Sequence, residues 1–228
     1  MTNALETIHT VVIGAGQAGL SMSYWLCQHG IEHVLLERAR VGERWRSERW
    51  DSLHFQFPSS FVGLPGMPYD GDTPDVFMHR DGVVATLDRY AAHINAPVRC
   101  GMPVRQVRPA DGGGFLVDLD SHTIAARNVV SATGPYQTPA VPGIARSLPP
   151  NLMQLTANRY VNAAQLPPGK VLVVGAGSSG YQIAEDLMEN GRDVFLAVGP
   201  HRRLLRRYRG RDIAFWMDEA GMFDTLRA

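Results

Sequence analysis

Thr10-Val-Val-Ile-Gly-Ala-Gly-Gln-Ala-Gly19 and Val171-Leu-Val-Val-Gly-Ala-Gly-Ser-Ser-Gly180 decide the fold of this 228-residue chain. Each is a short apolar, mostly β-branched run that stops on Gly-x-Gly-x-x-Gly, and the second stands 161 residues after the first. The register persists beyond the glycines. Gly30, placed to stop a helix, falls on Gly191, and His33-Val-Leu-Leu-Glu37 matches residues 193–198. Between them, Ala18, Met22 and Trp25 in one copy and Ile183, Ala184, Leu187 and Met188 in the other recur at helical spacing. Strand, glycine turn, helix, stop and strand therefore occur twice. That context separates the motif from an incidental glycine turn.

Such a turn is a phosphate cradle. The first glycine permits the tight turn, the second lets the backbone approach a diphosphate, and the third lets helix and strand pack closely. The diphosphate meets unpaired N–H groups at the helix N-terminus, where the dipole favours negative charge. Gly14, Gly16, Gln17, Ala18 and Gly19 would hold one nucleotide, and Gly175, Gly177, Ser178, Ser179 and Gly180 another. The expected fold class is α/β, with two dinucleotide-binding Rossmann-like domains of the three-layer β-β-α FAD/NAD(P)-binding kind, the second incomplete.

The end of each second strand selects the nucleotide. Glu37 lies 23 positions after Gly14 and can accept hydrogen bonds from ribose hydroxyls while repelling a 2′-phosphate, which suits FAD or NAD. The second copy has Val198 and Gly199 there, then His201, Arg202 and Arg203, followed by Arg206, Arg207, Arg209 and Arg211. Guanidinium forks match phosphate, so this site suits NADPH over NADH, with Arg202 and Arg203 as the binding residues. The later arginines are expected to serve the flavin domain or solvent. An arginine run can also coat a solvated loop or bind RNA, but no stacking platform or recognition module accompanies this one.

Composition narrows the class. Hydrophobic residues make up 45% and charged residues 19%, ordinary for a globular protein, and the formal net charge is zero, so no global field favours nucleic acid or an anionic membrane. No apolar run is long enough to span a bilayer, and residues 1–10 lack the features of a secretory signal, so a cytoplasmic location is expected. Cys27 and Cys100 form no CxxC pair, which argues against a disulfide framework, a zinc site or a redox dithiol, and no metal site is expected. Domain boundaries are placed at 1–145 for the FAD domain, with a small β-meander over about 98–131, at 146–168 for a proline-rich connection, and at 169–228 for the start of the NADPH domain. A helix is expected over 83–94. The aromatic segment Leu53–Pro68 reads equally as core or as ligand wall.

With these pieces assembled, nearly the whole chain resembles the class B flavin monooxygenases, including the flavin-containing and plant YUCCA-type enzymes. The carrying residues are the first glycine turn with Glu37, then Val41-Gly-Glu-Arg-Trp45, then Trp50-Asp-Ser-Leu-His-Phe-Gln-Phe-Pro58 through Leu64-Pro-Gly-Met-Pro68, then Ala132-Thr133-Gly134, and the second glycine turn. The resemblance adds Arg38, Arg44, Trp45, His54, Gln56, Val104, Ala132, Thr133 and Gly134 to the residues facing cofactor, with His54 and Gln56 near the isoalloxazine. It implies FAD and NADPH as cofactors, hydride transfer from NADPH to flavin, capture of O2 as a flavin hydroperoxide and oxygenation of a small organic substrate. It assigns no catalytic side chain here.

Two departures accompany it. The family fingerprint of Phe, Gly, His and an aromatic residue is represented by Pro150, Leu152, Thr156 and Tyr160, so only the aromatic end survives. Tyr160-Val161 in place of Trp-Pro disfavours the Baeyer–Villiger branch. The chain also ends shortly after the second strand of the NADPH unit, from which the expectation is either a piece of a longer enzyme or a half-enzyme whose domain is completed by a second polypeptide or by self-association. Two other functions share these sites: an NADPH-dependent flavoprotein reductase or dehydrogenase that does not oxygenate, and a FAD-binding subunit needing a partner chain.

Overall fold

The computed structural model describes residues 5–200 and 205–224. In chain order its elements are β1 (Glu6–Ile13), α1 (Gln17–Gln28), β2 (His33–Leu36), α2 (Glu43–Ser47), β3 (His54–Pro58), β4 (Phe77–His79), α3 (Arg80–His93), β5 (Val98–Arg99), β6 (Val104–Pro109), β7 (Phe115–Leu119) and β8 (Thr123–Ser131). There follow β9 (Val171–Val174), α4 (Ser178–Glu189), β10 (Val194–Ala197), β11 (Arg207–Tyr208), β12 (Arg211–Asp212) and α5 (Ile213–Glu219). They fall into two compact units. The first gathers the residues up to Glu48 with Leu64–Met67 and Asp81–Met153; the second gathers Arg49–Gly63, Pro68–Arg80 and the residues from Gln154 onward. Segments 49–63 and 68–80, placed in the first domain by sequence position, thus cluster with the second unit.

Unit 1 is built on a six-stranded sheet of order β5-β2-β1-β8-β7-β6. Strands β5, β2, β1 and β8 are parallel, as crossover connections require, and β7 and β6 run antiparallel to complete a meander with β8. The meander is shorter than the sequence suggests. Gly101, at φ +70°, breaks the run from Val98 to Val107, and the piece before the break pairs with β2 instead. The core beneath β1 is Ile8, Val11, Val34, Leu36, Val117, Leu119, Ile124 and Ala126.

Helix α1 turns a different face to the sheet from the one its apolar residues mark. Gly19, Leu20, Ser23 and Leu26 are buried, while Trp25 is 52% exposed and Ala18 is exposed. A Cβ on Gly19 would overlap the carbonyl oxygen of Gly14, so Gly19 must face the turn, and helical spacing then brings Ser23 inward. Its hydroxyl is satisfied there by His33 Nε2 at 2.8 Å. Helix α3 buries Val83, Leu87 and Tyr90, and Tyr90 donates its hydroxyl to Pro65 O at 2.8 Å. Burial pushes that phenol up to about 12, so it remains a donor at neutral pH.

In unit 2, β9 and β10 pair in parallel and α4 follows the second glycine turn. The buried face of α4 is Ile183, Ala184, Asp186 and Leu187, and Met188 is exposed instead. Asp186 is taken inside by the hydroxyl of Tyr160, which donates to its Oδ2. Strands β3 and β4 pair antiparallel, and Phe55, Phe57, Phe61, Phe215 and Phe223, all half-buried, touch in a chain of ring contacts, while Leu53 and Val62 of the same segment are buried.

Candidate functional site

The two glycine turns repeat in three dimensions. Gly14 has φ +105° and Gly175 φ +104°, a conformation that side chains oppose. Gly19 and Gly180 each lie against the carbonyl of the first glycine, where a methyl group would collide. Gly16 and Gly177 differ from both. Their φ values, −89° and −78°, suit any residue, and nothing lies within 4 Å of where a Cβ would stand. The fold itself asks for no glycine at these two positions. What a side chain would fill is the open space in front of each turn, as a closely approaching diphosphate requires.

The helix starts agree. Neither Gly16 nor Gly177 supplies a side-chain cap to the N–H groups that follow, whereas Asp212 caps α5 through Ala214 N at 2.9 Å. Gln17 and Ala18, and likewise Ser178 and Ser179, occupy the first turns left open to an anion.

Glu37 follows the end of β2 and is only 8% exposed. Its Oε2 accepts from Ala15 N at 2.9 Å and its Oε1 from Ala39 N at 3.1 Å, so the carboxylate is locked beside the glycine turn with acceptor capacity left for a diol. Met102 N donates to Glu37 O at 2.9 Å, which sets the approach to β6 alongside the acid. Val104 opens β6 and packs its side chain against the core. Ala132 continues the line of β8, its N–H bonded to Ile13 O at 2.9 Å, and its carbonyl oxygen stands 2.6 Å from the Cβ position of Gly14. Thr133 and Gly134 follow, exposed.

Arg44 is occupied by protein groups. Its Nε donates to Glu48 Oε2 at 2.7 Å, one terminal nitrogen to Pro135 O at 2.8 Å and the other to Tyr136 O at 2.9 Å. Arg38 donates to the second oxygen of Glu48 at 2.5 Å. The resemblance assigned both arginines to the cofactor; their visible partners are carboxylate and carbonyl oxygens. Trp45 is half-buried on α2, whose start is fastened to the glycine turn by Gly42 N to Ala15 O at 3.1 Å.

His54 and Gln56 lie in unit 2 on the exposed face of β3, and His54 N donates to Gln182 Oε1 on α4 at 3.3 Å. They therefore sit with the second glycine turn's helix. Asp51, unmarked by the sequence, fastens this unit: its N–H bonds Val161 O at 2.8 Å, and its carboxylate takes Asn162 Nδ2 at 2.6 Å and pairs with Arg80 at 2.8 Å. No spacing rule marks such a long-range hub. Thr156, where the fingerprint histidine belongs, directs its hydroxyl to Asn158 Oδ1 at 2.6 Å.

His201, Arg202 and Arg203 lie outside the described residues. Of the later arginines, Arg206 pairs with Asp212 at 2.7 Å and lies over the Phe77 ring, and Arg211 pairs with Glu219 at 2.5 Å. These two find their partners within unit 2 and remain about half exposed, in keeping with the solvent part of the role expected of them. Among the described residues no helix is long and apolar enough to cross a membrane, and no group of His, Cys, Asp or Glu is arranged to hold a metal.

Comparison with known proteins gives consistent likenesses. The family model for pyridine nucleotide-disulphide oxidoreductases matches residues 11–208. An uncharacterized CzcO-like oxidoreductase of Geobacillus kaustophilus is 37% identical, over 96% of this chain and 62% of that protein. The indole-3-pyruvate monooxygenase YUCCA1 of Oryza sativa is 32% identical, over 82% of this chain and 47% of that protein. Among solved structures, the flavin-containing monooxygenase from Stenotrophomonas maltophilia superposes with a TM-score of 0.79 at 28% identity, covering 94% of this chain and 64% of the other. The chain spans about three fifths of the length of the CzcO-type relatives it matches, 61–62%.

Proposed function

Because the chain belongs to the pyridine nucleotide-disulphide oxidoreductase family, and within it to the class B flavin monooxygenases, we propose that it is a FAD- and NADPH-dependent monooxygenase of a small organic substrate. The observation that carries this reading is the pair of glycines, Gly16 and Gly177, which neither backbone conformation nor packing requires and which leave open space where a diphosphate would approach. FAD supplies a two-electron carrier that, once reduced, activates O2.

The chain's own part is binding and placement. The Gly14–Gly19 turn offers backbone N–H groups to the FAD diphosphate. Glu37, held by Ala15 and Ala39, receives the adenosine ribose hydroxyls and turns away a 2′-phosphate. The Gly175–Gly180 turn does the same for NADPH. Where the first unit has its acid, this one has Val198 and Gly199, and Arg202 and Arg203 follow to pair with the 2′-phosphate.

A second reading, an NADPH-dependent flavoprotein reductase, is favoured by Thr156, whose hydroxyl is bound to Asn158 and which offers no imidazole. Disulfide reduction is disfavoured by the two cysteines, both free and exposed, Cys27 on α1 and Cys100 in the turn after β5. The deciding measurement is NADPH oxidation by the flavin-loaded chain, with peroxide quantified, across a panel of amines, sulfides and 2-oxo acids. A monooxygenase yields oxygenated product and suppressed peroxide with one of these classes. Peroxide equal to the NADPH consumed in every case sinks oxygenation, and a colourless protein that leaves NADPH untouched sinks both readings.

A further inference from the structure

The segment leaving β8 is shaped against its own backbone preferences. Gly134 sits at φ +76° and Tyr136 at φ +63°, a left-handed conformation unfavourable for a bulky residue. The Tyr136 ring is 84% exposed, so packing does not stabilise it there. Hydrogen bonds do. Arg44 donates to the carbonyls of Pro135 at 2.8 Å and Tyr136 at 2.9 Å, and the Gln137 side chain donates back to Thr133 O and Gly134 O.

Arg44 is itself fixed. Its Nε is held by Glu48 at 2.7 Å one turn along α2, and Glu48 is held from the other side by Arg38, the neighbour of Glu37. A line of hydrogen bonds thus runs from the residue after the ribose-binding acid, through Arg38, Glu48 and Arg44, to the carbonyls beyond β8. Because β2 and β8 flank β1, this line joins the two margins of the first glycine turn at the carboxyl ends of the strands, where open α/β sheets bind ligands.

We propose that Arg44 is a positioning residue for the dinucleotide of unit 1. Its planar fork holds Gly134 and Tyr136 in their left-handed conformations, so that the wall beside the Gly14–Gly19 cradle is formed before the nucleotide arrives. This rests on the FAD reading, and it gives Arg44 a role other than direct contact with phosphate. Lysine could not substitute, because a single ammonium lacks the geometry to serve Glu48 and two carbonyls in one plane.

The test uses the full chain with Arg44→Lys, Arg44→Met, Glu48→Gln and the double variant Arg44→Met/Tyr136→Asn. FAD affinity is read by flavin fluorescence, and hydrogen exchange of the amides of Gly134, Tyr136, Gln137 and Thr138 is followed with and without FAD. Both Arg44 variants should weaken FAD binding about tenfold, as for a site preformed a tenth of the time, and speed exchange at these amides in the FAD-free chain. Glu48→Gln should do the same more weakly. Asparagine tolerates the left-handed region, so Tyr136→Asn should recover much of the affinity lost in Arg44→Met. Wild-type affinity in Arg44→Lys, or no recovery in the double variant, overturns the proposal and leaves Arg44 as a simple charge. Failure of the unaltered chain to bind FAD would overturn the flavin reading alone, because exchange in the FAD-free chain still reports on the clamp.

Discussion

Gly16 and Gly19 stand one helical turn apart and answer to different constraints. Gly19 is needed by the fold, because its Cβ would strike the Gly14 carbonyl; Gly16 meets nothing. Gly19→Ala should therefore cost about 3 kcal/mol or more of stability through overpacking against backbone. Gly16→Ala should change stability by no more than about 0.5 kcal/mol and yet weaken FAD binding roughly tenfold or more. Thermal melts beside flavin content separate the two, and equal melting losses would remove the distinction. Glu48 makes a second prediction at this scale. Burial would raise its carboxyl, but the hydrogen bonds and charges of Arg44 and Arg38 outweigh it and hold the group below its ordinary 4.5. With a depressed folded value, its contribution is complete above 4.5 and fades as pH falls through the lower value. Flavin retention should be flat from about pH 7 to 5 as far as this group is concerned, and the Glu48→Gln variant should lose any step seen below that range. A step near pH 6 that Glu48→Gln abolishes would contradict this.

At the scale of elements, the strands flanking the two glycine turns and the helix stops were legible because local chemistry specifies them, whereas β3, β4, β11 and β12 were not. The stop after α1 has Gly30 at φ +63° with Ile31 N bonded to Leu26 O at 2.9 Å; the stop after α4 has Gly191 at φ +73° with Arg192 N bonded to Leu187 O at 3.0 Å. Helix faces were less legible. Ser23 and Asp186 are polar and buried, each because a distant partner, His33 or Tyr160, satisfies it. Spacing rules see apolar residues and miss such pairs. The surviving aromatic of the fingerprint, Tyr160, is accordingly a fastening to α4. Tyr160→Phe would strand the Asp186 carboxylate without its donor, at a cost of about 1–3 kcal/mol. The melting temperature should fall while FAD content stays at the wild-type level; loss of flavin with unchanged melting would assign Tyr160 to the cofactor instead.

Across the whole molecule, the repeat disclosed two nucleotide units but not their membership. Segments 49–63 and 68–80 join the second unit through long-range contacts of Asp51 and the phenylalanine chain, which no local pattern announces. Of the proposed site, the sequence marks the glycine turns and Glu37, and Glu37 accepts a bond from Ala15 N within the first turn. The bonds of Arg44 to Glu48, Pro135 and Tyr136 were not legible, because partners so far along the chain leave no local pattern.

One consequence of the twofold glycine turn concerns how choice is distributed along the chain. The Gln17-Ala18 pair and the Ser178-Ser179 pair occupy equivalent places, while Glu37 and Val198 sit apart from them at the strand ends. Trading the two dipeptides should leave each pocket loyal to its own nucleotide, because the turn grips a chemical group common to both and discrimination is delegated elsewhere. Altered preference for NADPH over NADH after such a trade, seen in steady-state kinetics, would show that grip and choice are not separable.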